Sequence, residues 1–190
     1  METKLYNIHW YGPFTSPSEI KEIQCENDLI YELYLIKGKK TRCRKSHYYC
    51  GQSITRGAGK RLFDGNHHIR EYRDNGIEEI WVGYISNPEL KLQPTRHDVL
   101  LVENILIAYL NSVIGEDYIL NKEKLDFPKE NAFIINQWFK RNSDILYQRL
   151  REGSPSKIVP DVLLHLYKEA DNIHEIYGTN KIKRFKINNI

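Results

Sequence analysis

The amino-acid sequence predicts an α+β fold: a small three-stranded antiparallel sheet flanked by helices, with a helical C-terminal extension. Three observations carry that prediction. Residues 29–36 (LIYELYLI) are apolar on both alternating faces, with Glu32 the exception, as in a central strand. Residues 46–50 (SHYYC) form a second extended run, joined to the first by a glycine-marked loop, so the two make a hairpin. Residues 98–112 are apolar nearly all round, the pattern of a buried helix. These elements divide the chain into an N-terminal extension (1–28), a core (29–124) and a helical C-terminal extension packed on the core (125–190).

The elements follow in order. Residues 10–18 (WYGPFTSPS) hold two prolines and a glycine and read as an ordered loop, and 19–26 as one short helix. Gly38 marks the turn of the hairpin. A glycine-marked break at 51–59 leads into a short helical stretch, 60–63, closed by Asp64-Gly65. Residues 67–73 (HHIREYR) suit a second helical piece, Asn75-Gly76 a turn, and 80–85 (IWVGYI) the third strand. Thr95 and Asp98 have the layout of a capping box at the start of the apolar helix. Beyond Phe127-Pro128, residues 131–151 and 161–176 show helical spacing, through Ile135, Trp138, Ile145 and Leu150, then Leu163, Leu166, Ala170 and Ile173. Ser154-Pro155 and Val159-Pro160 separate these two expected helices.

Composition narrows the classes. The 190 residues are 41% hydrophobic and 28% charged, a globular mixture and not a disordered one. Mean hydropathy is −0.59 and the first nine residues contain no apolar run, so neither a membrane span nor a secretory leader is expected. Three cysteines, Cys25, Cys43 and Cys50, give no even disulfide framework and no paired zinc-ligand spacing, which suits a cytoplasmic chain. Net charge is only +3, but its distribution is uneven. Residues 37–45 (KGKKTRCRK) hold six basic residues and no acid, and 181–186 (KIKRFK) four and none. Such blocks are either solvated surface or footprints for a phosphate backbone.

One residue stands out chemically. Glu103 falls in the most apolar helix, and Val99, Leu100, Leu106 and Ile107 occupy the positions three and four residues away. A carboxylate there must be paired with a cation, bound to a metal or protonated.

The order of motifs then resembles a known family. Ile30-Tyr31 lies in a strand; across the hairpin follow Tyr49-Cys50-Gly51-Gln52-Ser53; then Arg61 in a helix, the pair His67-His68, a third strand, and the helix bearing Glu103. This arrangement, over residues 29–121, resembles the GIY-YIG nuclease superfamily and is closest in layout to its compact restriction-endonuclease members. It departs from the family pattern at Leu29, where glycine is usual, at Cys50, where isoleucine or valine is usual, and at Gly65, where a histidine or tyrosine is common.

The resemblance implies an endonuclease that hydrolyses phosphodiester bonds of double-stranded DNA. Glu103 would hold one Mg²⁺ or Mn²⁺, and Arg61 would stabilise charge building on the phosphate. Tyr31 and Tyr49 are the candidates for general base, with Tyr31 preferred and Tyr49 positioning it or the water. His68, or His67, would orient the water or the leaving group. Asn111 and Asn121 both compete for the family's asparagine. Lys39, Lys40, Arg42 and Arg44 in the hairpin loop would contact the DNA backbone. A palindromic recognition site would imply a homodimer. The rival readings are a catalytically weak or inactive nucleic-acid-binding module on the same fold, and a small protein whose basic loop binds RNA or a protein partner.

Overall fold

The computed structural model describes residues 3–27, 30–54, 57–62, 68–86, 93–121, 129–141, 143–147, 153–168 and 173–179. His67, Gly65 and the KIKRFK tail lie outside them. The architecture is one curled, mixed sheet of seven strands with few helices, a half-barrel. This overturns the expected three-stranded sheet with a helical extension. The strands are β1 (Thr3–Phe14), β2 (Leu33–Lys40), β3 (Ser46–Gln52), β4 (Tyr72–Ser86), β5 (Asn131–Phe139), β6 (Val162–Lys168) and β7 (Ile173–Thr179). They lie in the order β3-β2-β4-β1-β5-β6-β7. All neighbours are antiparallel except β1 and β5. The helices are α1 (Pro17–Asn27), α2 (Gly57–Arg61), α3 (Arg96–Ile114) and α4 (Pro155–Ile158).

The three expected strands are present and adjacent, as β3-β2-β4, but they form one flank of a larger sheet. The N-terminal segment is no appendage: β1 sits at the middle of the sheet, with Tyr6, Ile8 and Trp10 buried on one face. Nor is the C-terminal part helical. In β5 the buried residues are Ala132, Ile134, Asn136 and Trp138, and in β6 they include Leu163, His165 and Tyr167. Both patterns have the period of two that defines a strand. Polar Asn136 and His165 stand at inward positions and interrupt the apolar alternation, which is why helical spacing through the remaining apolar residues looked the better fit.

Two cores lie on opposite faces of the sheet. One packs α3, through Val99, Val102, Ile105 and Leu106, against Trp10, Leu35, Trp81, Ile134 and Trp138. The other packs α1 and α2, through Ile20, Ile23, Ala58 and Leu62, against Tyr34, Ile36, Tyr49, Ile80 and Val82. Adjacent residues of a strand point to opposite faces, so β2 contributes Leu33 and Leu35 to the first core and Tyr34 and Ile36 to the second. The predicted capping box forms: Thr95 Oγ1 accepts from the Asp98 amide, while Asp98 accepts from Thr95 N–H. By length and apolarity α3 could also cross a membrane, yet it packs as a core helix.

Glu32, the polar exception in the strand motif, is buried at 3% exposure, and its Oε2 accepts from the Ile85 amide at 3.0 Å. Burial pushes its pKa from 4.5 up to about 7, against the pull of backbone hydrogen bonds. The folded chain therefore holds this proton more tightly than the unfolded chain. Stability from Glu32 is complete below pH 4.5 and is lost as pH rises through about 7. His9, His165 and His174, whose pKa values burial lowers, act in the opposite sense, so the comparison must be parent against variant. Glu32→Gln mimics the protonated carboxyl. It should match the parent at low pH and exceed its stability by about 2 kcal/mol above neutrality. Urea unfolding of both proteins at pH 5 and pH 8 checks this; equal stability at pH 8 would contradict it.

Candidate active site

The hairpin register decides which tyrosines meet. The turn closes with the Cys43 amide on the Lys40 carbonyl at 3.1 Å, and Arg42 takes a left-handed conformation at φ 64°. From that turn the ladder pairs Ile36 with Tyr49 and Tyr34 with Gly51. Tyr34, Ile36, Tyr49 and Gly51 therefore share one face. The Tyr34 ring lies directly across Gly51: a Cβ added there would stand 2.6 Å from Tyr34 Cε2 and closer still to its hydroxyl end. Gly51 is thus the gap that admits the phenol. The rings of Tyr34 and Tyr49 are 6.0 Å apart, and their hydroxyls are hydrogen-bonded to each other.

Tyr31 stands elsewhere. It precedes β2, buried against Tyr11 with ring centroids 5.8 Å apart, and its carbonyl accepts from the Ala58 amide that opens α2. It holds α2 in place and is not part of the tyrosine pair. A hairpin turning at 40–43 leaves Tyr31 beyond the end of the ladder, and that register was the signal that would have selected Tyr34.

The remaining residues converge more closely with expectation. Tyr34 and Tyr49 both feel the charges of Arg61 and of Glu103, and buried Cys50 feels Glu103. The imidazole of His68 lies 5.1 Å from the Tyr49 ring, and its Nδ1 is bonded to Glu71. Glu103 is half-buried, not sunk in an all-round apolar surface, because α3 keeps a solvent side that includes Leu100 at 38% exposure. Next to it Asn104 is buried, a polar position that the apolar pattern of the helix concealed.

Asn121 also reaches this region. Its side chain accepts from the Cys50 amide at 3.0 Å and donates to the Cys50 carbonyl at 2.7 Å. Together with Ile119, which bridges Tyr48, it closes the outer edge of β3 and fixes the Tyr49-Cys50-Gly51 backbone. Asn111, the competing candidate, is on α3 and makes no such contact with β3.

Electrostatics are one-sided. Burial, then Glu103, push Tyr49 up to about 12, while the Tyr34 hydrogen bond and the Arg61 guanidinium draw it down. Tyr34 lies well above the ordinary phenol range, chiefly through burial. Among the described residues no group of three or more His, Cys, Asp or Glu side chains could cage a metal. A single carboxylate does suit Mg²⁺ or Mn²⁺, which take most ligands from water and substrate phosphate. Glu103 fits that role.

The hairpin loop differs from its expected state. Lys39 pairs with Glu78 at 3.3 Å and Lys40 with Glu71 at 3.2 Å, acids supplied by β4 and by the 3₁₀ turn before it. Arg42 and Arg44 are exposed. The loop's own sequence has no acid, but neighbouring segments provide them.

Searches of protein-family models, curated proteins and solved structures find no match to this chain.

Gly51→Ala should force Tyr34 off its seat and cost about 1–3 kcal/mol of stability. Tyr34→Ala in the Gly51→Ala background should lose less than the sum of the two single changes, because the clash disappears with the ring. Urea titrations of the four proteins measure this; strict additivity would mean the Tyr34–Gly51 contact carries no constraint.

Proposed function

We propose that the chain is a metal-dependent endonuclease of the GIY-YIG type acting on double-stranded DNA. The observation that carries this reading is the convergence of Tyr34, Tyr49, Arg61 and Glu103 beside Gly51, from four separate elements. Each residue type matches one requirement of phosphodiester hydrolysis: a base, a cationic donor for the phosphate, and a hard oxygen ligand for a cation.

In this reading Tyr49 is the general base and Tyr34 its positioning partner. Burial raises both phenols, and Tyr34 the more, so Tyr49, the less deeply buried of the two, is the readier to lose its proton. Arg61 on α2 offers a planar, bidentate donor to the phosphate oxygens and stabilises charge as it accumulates. His68 packs beside Tyr49 and restricts the ring. Glu103 is the residue that would hold Mg²⁺ or Mn²⁺. Such an ion supplies Lewis-acid polarisation of the phosphate and lowers the pKa of nearby acids. Exposed Arg42 and Arg44 contribute backbone contacts to DNA, and Lys39 and Lys40 contribute less because acids already engage them.

Glu103→Gln should lower cleavage about a thousandfold while duplex binding stays within a few-fold of the parent. Arg61→Lys should not restore what Arg61→Ala loses, since a point charge cannot replace the fork. Tyr49→Phe should abolish cleavage, and Tyr31→Phe should spare it. Incubation with plasmid DNA and Mg²⁺, with a chelator control and end sequencing, reads all of these. Duplex binding without any cleavage in the parent would favour the non-catalytic module. Cleavage by Glu103→Gln within tenfold of the parent would reduce Glu103 to a structural carboxylate.

A further inference from the structure

The turn end of the β2–β3 hairpin carries a second feature that the nuclease reading does not use. A cavity of about 630 Å³ is lined by Lys37, Lys39, Arg44 and Lys45, by the phenols of Tyr48 and Tyr118, and by Glu78. It belongs to the sheet face opposite the tyrosine pair. Lys37 faces Tyr48 across the ladder, one rung from the Ile36–Tyr49 rung, and successive rungs point to opposite faces. Ile114, the last residue of α3, closes one side.

Four cations surround a single carboxylate. Glu78 is shared between Lys37 at 3.1 Å and Lys39 at 3.3 Å, and it also accepts from Ser46 at 2.9 Å. One carboxylate neutralises one ammonium, so the cavity keeps a strong positive excess. Lys37 is the informative member. Its side chain is only 9% exposed, and the Glu78 carboxylate that complements it is shared with Lys39. The floor is built as well as charged. Tyr48 donates to the Gly153 carbonyl at 2.7 Å, and Gly153 holds φ +67°, which disfavours any side chain there. At the rim Lys45 donates to the Tyr118 hydroxyl at 2.7 Å and lies 4.8 Å above a tyrosine ring, that of Tyr118.

We propose that this cavity binds the terminal phosphate of a nucleotide. The volume suits a ligand of mononucleotide size. Separate ammonium and guanidinium donors around an open basin suit a tetrahedral dianion. The Tyr118 ring offers a face on which a base can stack. The ligand chemistry is a phosphate monoester, and it has two sources: a free nucleotide, or the phosphorylated end of a nucleic-acid strand. The proposal does not rest on the nuclease reading, because the two sites occupy opposite faces and share only the backbone-contact residues Lys39 and Arg44.

Calorimetric titration of the full chain tests it, with adenosine 5′-monophosphate against adenosine, and a short oligonucleotide with a 5′-phosphate against the same strand with a 5′-hydroxyl. The phosphorylated member of at least one pair should bind about tenfold tighter or more, with affinity falling as salt rises. Arg44→Gln combined with Lys45→Gln should remove about tenfold or more of that affinity; both residues are exposed, so the variant should fold. Lys37→Gln should remove more, provided its thermal midpoint stays close to the parent. Competition between the two phosphorylated probes names the source: the tighter of them is the physiological class. Equal affinity for phosphorylated and unphosphorylated members of both pairs overturns the proposal, as does phosphate-dependent binding that the double variant leaves intact.

Discussion

The three indoles of the chain meet at one place, and the rest of the sheet depends on that junction. Trp10 of β1 stacks on Trp138 of β5 with ring centroids 5.4 Å apart, and Trp81 of β4 meets Trp138 edge-on at 5.1 Å. The cluster therefore clasps the central strand to both neighbours, antiparallel on one side and parallel on the other. Its polar handles extend the clasp. The Trp10 N–H donates to Asn136, whose own amide donates to the Pro160 carbonyl at the entry to β6. The Trp81 N–H donates to Glu79, which also accepts from Ser154 ahead of α4. Three large aromatic side chains bury several hundred Å² between them, a major share of the apolar burial available to a domain of this size. Gly83 belongs to the same arrangement, since a Cβ there would stand 2.8 Å from Trp10.

That clasp sets where chemistry can occur. With α3 committed to the indole face, the other face of β2, β3 and β4 is left for α1 and α2. Arg61 arrives on α2 and the tyrosines on the hairpin, while Glu103 comes from the helix on the opposite side. A carboxylate on one face reaches phenols on the other only near a sheet edge, and β3 is that edge. The edge is closed by Ile119 and Asn121 just after α3, so the same segment that ends the helix also fixes the strand its carboxylate must reach. Beyond the helices, on the β1 and β5 flank, the sheet instead presents a half-exposed aromatic surface in which His9, Tyr11, Tyr84 and Phe139 pack together.

Legibility in the sequence follows from how local each determinant is. The hairpin strands, the capping box at Thr95 and the α3 helix are set by neighbours within a few residues, and all three were readable. The parallel pairing of β1 with β5 links residues more than a hundred positions apart, and no local pattern announces it. Asn136 and His165 compounded the difficulty, because inward polar residues, Asn136 satisfied by Trp10 and Pro160 and His165 bonded to His174 of the next strand, erase the alternation that marks a strand. At the candidate site Tyr49, Arg61, Glu103 and His68 were singled out through their order along the chain. Tyr34 was not, because the motif was matched by residue type and not by hairpin register; Tyr31, matched instead, lies in the same core cluster but beyond the end of the β2–β3 ladder. The basic segment shows the same limit as the sheet: Glu71 and Glu78, which pair with Lys40 and with Lys37 and Lys39, come from outside the segment being read.

Register and charge together explain why the tyrosine pair is arranged as it is. Glu103 raises the pKa of Tyr34, Tyr49 and Cys50 alike, and burial adds to each, so the folded chain holds three neutral acids around one carboxylate. Arg61 is the counterweight on the two phenols. The hydroxyls of Tyr34 and Tyr49 are hydrogen-bonded, so the two phenols share one proton-exchange environment. Burial is the larger influence on all three groups, and Glu103 adds to it in the same direction. Burial sets the proton affinity of this cluster, Glu103 and Arg61 adjust it from two different helices, and the gap at Gly51 fixes the Tyr34 ring beside Tyr49.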